Sequence, residues 1–439
     1  MHELKSAHFA LLFAASLAVC ATAGALQPKE ILGQRIFNDS RLSANHNQSC
    51  ASCHSRDTGG TGAESRLNAH GAVYEGSVKG RYGNRKPPSS TYATLAPLFA
   101  HDPVKGFVGG NFWDGRATGW KLGNPAADQA QGPFLNPLEQ AVPSVDDVVS
   151  RVCGAHYGNL FRNVWGWGVC SNTERAFAAI ALSIAAFEDS TANNQFSSKY
   201  DLVRAGKAHL DGQEARGLAL FTGPAKCANC HTLEPSAQGP LFSDFTFDNL
   251  GVPPNLENPF YQMSSVLIDG EPVNPLGSNW IDTGLGDLLL KLAQDSSWRD
   301  LPYVTASLRV MSADVLLSLA QTNFGKHRVP TLRNVAKRPW PGFIKAYGHN
   351  GYFKSLQGIV HFYNTRDILP RCSGLVTEAE ALASHCWPRP EVSDNVNTTD
   401  LGDLKLTAND ERAIVAFLET LSDEWSSAHF SMKADMSSP

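Results

Sequence analysis

The chain has 439 residues, of which 42% are hydrophobic and 18% charged, enough apolar material for packed domains of ordinary size. A disulfide-stapled miniprotein, a disordered chain and a coiled coil are therefore excluded as the main state. Its 37 basic and 42 acidic residues leave a formal charge of −5 without a long basic run, which argues against nucleic acid as a partner.

In chain order, the first feature is a leader. Lys5 precedes an apolar stretch from Phe9 to Cys20, and the small residues Ala21, Thr22, Ala23, Gly24 and Ala25 follow. This pattern predicts a signal peptide over 1–25, cleaved after Ala23 or Ala25, and export to the periplasm. No later stretch is long and apolar enough to span a bilayer, so the mature chain is expected to carry no membrane span. Next, Glu30, Gly33, Ile36 and Phe37 open a helix, and the same ExxGxxΦF spacing returns at Glu214, Gly217, Leu220 and Phe221. This internal repeat predicts two domains, 26–205 and 206–439. Phe177, Ile180, Ile184 and Phe187 fall at helical spacing and predict a closing helix for the first. Thr407 and Asp410 form an N-cap signature ahead of Ile414, Phe417, Leu418 and Leu421, which predict the closing helix of the second. The 37 Gly and 25 Pro point to long irregular loops between these helices.

Removing the leader leaves eight cysteines. Cys153 with Cys170 and Cys372 with Cys386 read as disulfides, each closing a loop of roughly 15 residues in an oxidising compartment. The other four belong to Cys50-Ala-Ser-Cys53-His54 and Cys227-Ala-Asn-Cys230-His231. Random placement of the chain's cysteines and histidines gives on the order of 0.006 such strings, so two are not accidental. In CxxCH, two thiols three positions apart add to the vinyl groups of one haem, and the adjacent His places its imidazole on the iron. Two covalently bound haem c groups are expected, with Cys50, Cys53, Cys227 and Cys230 as attachment points and His54 and His231 as iron ligands. A shared zinc site is disfavoured, because the pairs lie far apart and each carries its own His.

With these motifs in hand, further strings resemble the bacterial dihaem cytochrome c peroxidase and MauG family over nearly the whole mature chain. They are Asn111-Phe-Trp-Asp-Gly-Arg116, Gln129-Ala-Gln-Gly-Pro-Phe-Leu-Asn-Pro-Leu-Glu139, Val329-Pro-Thr-Leu-Arg-Asn-Val335, His349-Asn-Gly351 and His361-Phe-Tyr-Asn364. The resemblance implies an all-α fold of two cytochrome c-like haem domains with long irregular loops. The first haem would meet peroxide, and the second would relay or store oxidising equivalents. Trp113 matches a tryptophan between the haems, suited to carry an electron hop. Gln129 and Glu139 match a distal pair over the first haem, with Glu139 the acid-base residue that moves a proton between the peroxide oxygens. Arg116 and Arg333, inside the matching strings, are carried over as haem contacts.

Two departures from the family pattern shape the expectation. A second His on the first haem is expected about ten residues before Arg85-Lys-Pro-Pro88, but that position is Val78, and His70 reads as a loop residue. The first haem is then expected to be open to peroxide. The resemblance also allows a Ca2+ between the domains, yet Lys86 stands where a ligand is expected, Asn84 is the one neighbouring substitute, and the insertion over 337–347 interrupts the other half of that site. At the second haem, Tyr363 occupies the place where peroxidases have Met and MauG has Tyr. A phenolate is a hard anionic donor favouring ferric and higher states, whereas a thioether favours ferrous iron. Met311, Met263 and His361 are the alternative ligands.

These features predict an oxidoreductase that reduces hydrogen peroxide at the first haem and oxidises an external donor in MauG fashion, including a side chain of a partner protein. The alternatives are an ordinary cytochrome c peroxidase fed by a small cytochrome or cupredoxin, and a dihaem electron carrier without substrate chemistry. Gln129 and Glu139 disfavour the last, since a carrier needs no acid-base group beside a haem.

Overall fold

A computed structural model describes residues 25–426 except Pro235, so the leader expected over 1–25 lies, Ala25 apart, outside the described residues. Helix α1 (Pro28–Phe37) starts on a proline, whose missing N–H costs nothing in the first turn, and Glu30 accepts from the Gln27 backbone N–H at 2.7 Å. Helices α2 (Pro125–Leu135), α3 (Val145–Gly154) and α4 (Gly158–Trp165) follow, and then α5 (Thr173–Asp189), capped by the Asn172 side chain. Leu32, Ile36, Phe161, Ile180 and Ile184 bury together where α1 packs on α5. The Cys153–Cys170 disulfide ties α3 to the turn before α5.

The later half repeats this arrangement. Helix α6 (Gly212–Thr222) is capped by Asp211 and Glu214. Helices α7 (Leu285–Gln294) and α8 (Ala313–Thr322) pack on each other, α9 (Leu356–Thr365) follows, and α10 (Ala408–Glu419) closes the chain behind its Thr407 and Asp410 cap. The two glycines of the sequence repeat sit at matching helix crossings. A Cβ on Gly33 would lie 1.9 Å from the Ser183 carbonyl oxygen, and one on Gly217 would lie 1.9 Å from that of Ala413. Phe187 and Phe417, each four residues further on, flank the crossings. One helix pair is thus used twice, and the repeat exists because only glycine permits the approach.

Helices predominate, in agreement with the all-α expectation. Strands among the described residues are two or three residues long; two of the three pairings are local, and the third joins Phe247–Asp248 to the distant His327–Arg328. Segment 255–328, unassigned from sequence, contributes α7 and α8 and a core in which Trp120 stacks on Trp298 at 5.1 Å. The Cys372–Cys386 disulfide closes a loop after α9. No helix among the described residues is long and apolar enough to cross a membrane.

Candidate active site

Two cavities mark the CxxCH units. The first opens beside Cys50, Cys53 and His54. Cys50–Cys53 forms a single helical turn, which sets its two thiols one turn apart, and His54 donates its backbone N–H to the Cys50 carbonyl at 3.0 Å. His54 Nδ1 lies 2.9 Å from the Gly60 carbonyl. A carbonyl only accepts, so Nδ1 carries the proton and Nε2 keeps its lone pair for a metal. Burial lowers the His54 pKa and keeps the ring neutral, as a ligand must be. Burial also pushes the Cys50 thiol up to about 12, so it is not a thiolate nucleophile.

Gln129, on α2, and Glu139, just beyond it, line this same cavity. Burial raises the Glu139 pKa, and the charge of Arg116 opposes that rise. Arg116 lines the cavity too, stacked 3.8 Å over the Phe112 ring and bonded to Asp114 at 2.8 Å. Glu188, at the end of α5, is a wall residue that sequence reasoning missed; desolvation pushes its carboxyl up to about 8. His70 is elsewhere, largely exposed and 2.9 Å from Glu257, as a loop residue would be.

The second cavity is lined by Cys227, Cys230 and His231. His231 Nδ1 lies 2.8 Å from the Phe242 carbonyl, the same tautomer-setting contact as at His54, and burial lowers its pKa likewise. Tyr363, on α9, lines this cavity, and burial pushes its phenol well above the ordinary value. The other three candidate ligands do not line it. Met311 packs against the core of α7 and α8, Met263 is buried apart, and His361 turns to Glu411 at 3.0 Å. Arg333 does line it, but its guanidinium is committed to both Asp201 oxygens at 2.9 and 2.8 Å and to the Pro240 carbonyl. It shapes the wall and leaves little free charge for a ligand.

Lys86, Ser89, Trp113 and Arg328 line both cavities. Trp113 Nε1 donates to the Lys86 carbonyl at 2.8 Å, and the Trp113 carbonyl accepts from the Arg328 N–H at 2.8 Å. Gly115 turns the chain in the left-handed region (φ +78°), where a Cβ would strike the Phe247 ring at 2.7 Å. An ion-paired chain also runs between the walls. Arg116 and Arg85 share Asp114, whose carboxyl they hold at about 2 despite burial; Arg85 then grips both oxygens of Asp282 at 2.6 and 2.7 Å. Asp282 lies 3.3 Å from His327, which stacks on His349 at 3.6 Å, and His349 meets Glu391 at 3.0 Å. Because Arg85 occupies both Asp282 oxygens and Glu391 takes His349, this cluster reads as a charge network rather than a metal site.

Each cavity therefore combines two thiols outside any disulfide with a neutral imidazole oriented by a backbone carbonyl. That donor set fits a porphyrin bearing two vinyl groups and an iron.

A family profile described as di-haem cytochrome c peroxidase matches residues 27–209. The chain is 31% identical over 397 residues to the methylamine utilization protein MauG of Paracoccus denitrificans (strain Pd 1222), covering 89% of this chain and 88% of that protein. It is 27% identical over 400 residues to the cytochrome-c peroxidase IdrP1 of Pseudomonas sp. (strain SCT), covering 90% and 80%. Among solved structures, the diheme peroxidase BthA from Burkholderia thailandensis E264 aligns with a TM-score of 0.67 and 27% identity, over 92% of this chain and 88% of that one. A MauG-like protein associated with microbial copper homeostasis shares the fold, with a TM-score of 0.56 and 22% identity.

Proposed function

Because the chain belongs to the dihaem cytochrome c peroxidase and MauG family of oxidoreductases, we propose that it reduces hydrogen peroxide beside His54 and oxidises an external donor through Trp113 and the second cavity, in the manner of MauG. Two haem c groups, held by Cys50, Cys53 and His54 and by Cys227, Cys230, His231 and Tyr363, would supply the electron transfers that cleave the O–O bond. In this reading the protein works in the periplasm, where exported CxxCH cysteines receive haem.

The remaining work falls to the chain. Glu139 takes the proton from the peroxide oxygen that faces the iron and returns it to the oxygen leaving as water, a task suited to a carboxylate whose pKa burial has raised. Gln129 orients the substrate from the same wall. Trp113 touches both cavities and offers an oxidisable indole between them. Tyr363 brings a hard oxygen donor to the second cavity where a thioether would favour reduced iron. That second cavity is thereby suited to hold an oxidising equivalent and unsuited to accept electrons readily from a small cytochrome.

The observation that carries this reading is the lining of the second cavity by Tyr363, with neither methionine alternative on its wall. It is tested by rapid mixing of the all-ferric holoprotein with one equivalent of peroxide. The expected result is a fast spectral change at both haems without prior reduction. A reaction that begins only after one haem has been reduced by a donor would favour the ordinary peroxidase, and no reaction in either state would leave an electron carrier.

A further inference from the structure

Six Lys and Arg side chains are buried among the described residues: Lys86, Lys199, Arg328, Arg333, Lys345 and Arg366. They divide by partner. Lys199 pairs with Glu214, Arg333 with Asp201 and Arg366 with Asp367. Lys86, Lys345 and Arg328 have no carboxylate partner; their hydrogen bonds go to neutral oxygens, and Lys86 and Arg328 also lie 5.8 and 5.6 Å from the Trp113 and Phe245 ring centroids. Lys86 Nζ donates to Thr61 Oγ1 at 2.9 Å and the Pro87 carbonyl at 3.1 Å, Lys345 Nζ to the Asn334 and Lys337 carbonyls at 2.7 and 3.3 Å, and Arg328 Nε to the Phe112 carbonyl at 3.3 Å.

Position separates the two groups further. All three cations without a carboxylate line the second cavity, and Lys86 and Arg328 line the first as well. A buried cation without a paired carboxylate either gives up its proton, the direction in which burial pushes Lys86 and Lys345, or keeps its charge by meeting an anion; the carboxylates on this wall are not paired with the three, so an anion from outside the chain is what would keep them charged. Haem carries two propionates, and on the haem-binding reading above it is the anion these cavities receive. The same cations bear on the Ca2+ that the family resemblance allows. Lys86 holds the oxygens beside the expected ligand position, and the insertion over 337–347 delivers Lys345 to the same region. The carboxylates of this cavity are engaged elsewhere, Asp282 by Arg85, Glu391 by His349, and Asp248 and Asp400 by Asn397, so a divalent cation beside Lys86 and Lys345 would face positive side chains, and these residues do not fit one.

We propose that Lys86, Lys345 and Arg328 form a cationic seam, built from the chain itself, which takes the place of a divalent cation between the two cavities and finds its counter-charge in the haem propionates. Arg328, lining both cavities, is its central positioning residue.

The test uses the ferric holoprotein. Elemental analysis after desalting should find no stoichiometric calcium, and the ferric EPR spectrum should be unmoved by EGTA or by added Ca2+. One calcium per chain whose removal alters the spectrum would overturn the seam, and this measurement needs no variant to fold. Arg328→Gln removes a positive charge that stabilises ferrous iron, so the midpoint potentials of both haems should fall, and Arg328→Lys should restore them in large part. Unchanged potentials in Arg328→Gln would refute the counter-charge role. Neither readout involves peroxide, so a failure of the seam and a failure of the peroxide reading remain distinguishable.

Discussion

Gly217→Ala isolates the physics of the helix crossing beneath the second cavity. The new Cβ would lie 1.9 Å from the Ala413 carbonyl oxygen and 2.8 Å from Phe417 Cβ. An ordinary heavy-atom contact is about 3.5 Å, so the helices must part by roughly 1.5 Å. The obstruction is backbone and cannot rotate away. Helix propensity alone would favour alanine by about 1 kcal/mol. Overpacking costs about 1–3 kcal/mol and more where the neighbour is rigid, so the net effect should be a loss of about 1–3 kcal/mol. At about 2–4 °C per kcal/mol for a domain of this size, thermal unfolding should shift down by several degrees. Phe417 meets Phe221 at 5.2 Å and Tyr200 at 5.5 Å, so the disturbance should also reach the second haem's EPR signal before the first. Gly212→Ala, on the same helix with nothing within 4 Å, is the control and should be neutral or mildly stabilising. A Gly217→Ala protein as stable as this control would refute the crossing geometry.

Other perturbations have equally definite outcomes. Glu139→Gln should slow the peroxide reaction by about 10²–10⁴ in stopped-flow measurements. Burial raises the Glu139 pKa and its carboxylate form is the base, so the wild-type rate should fall as pH drops through a value above the ordinary glutamate range; the variant should lack that limb. Trp113→Phe keeps an aromatic ring but loses the donor to the Lys86 carbonyl and the oxidisable indole, so the second haem should stop responding to peroxide while the first still reacts. Asp201→Asn should destabilise the fold by an amount near the lower end of about 3–5 kcal/mol, read by denaturant unfolding, because it strands the Arg333 guanidinium. Burial alone would raise the Asp201 carboxyl, but Arg333 outweighs it and holds the pKa down. The wild-type advantage over this variant should therefore be full above the ordinary carboxylate range and vanish as pH falls through the depressed value.

What could be read from the sequence was what local spacing encodes. The CxxCH turns, the ExxGxxΦF units that hold Gly33 and Gly217, and the strings around Trp113, Glu139 and Tyr363 are each no longer than about a dozen residues; the structure sets the glycines at helix crossings and the others on two cavities joined by Trp113. The partner of Arg333 was not legible, because Asp201 lies 132 residues away and no periodicity links them. The same holds for the chain from Arg85 through Asp282 and His327 to Glu391, whose members come from segments far apart in sequence. Lys345 was hidden inside an insertion that looked only like a disruption. Helix α7 did leave a signal, since Leu285, Leu288, Leu289 and Leu292 fall on one face, although no haem motif adjoins it.

The proposed role of Tyr363 is to make the second cavity a store for an oxidising equivalent delivered through Trp113. It is tested most directly by low-temperature EPR of the ferric holoprotein before and after one equivalent of peroxide, in wild type and in Tyr363→Met. One high-spin and one low-spin signal are expected in the wild type, both lost on adding peroxide, with the low-spin signal altered in the variant and no longer lost. Two low-spin signals indifferent to peroxide, or a variant whose low-spin signal matches the wild type, would contradict it.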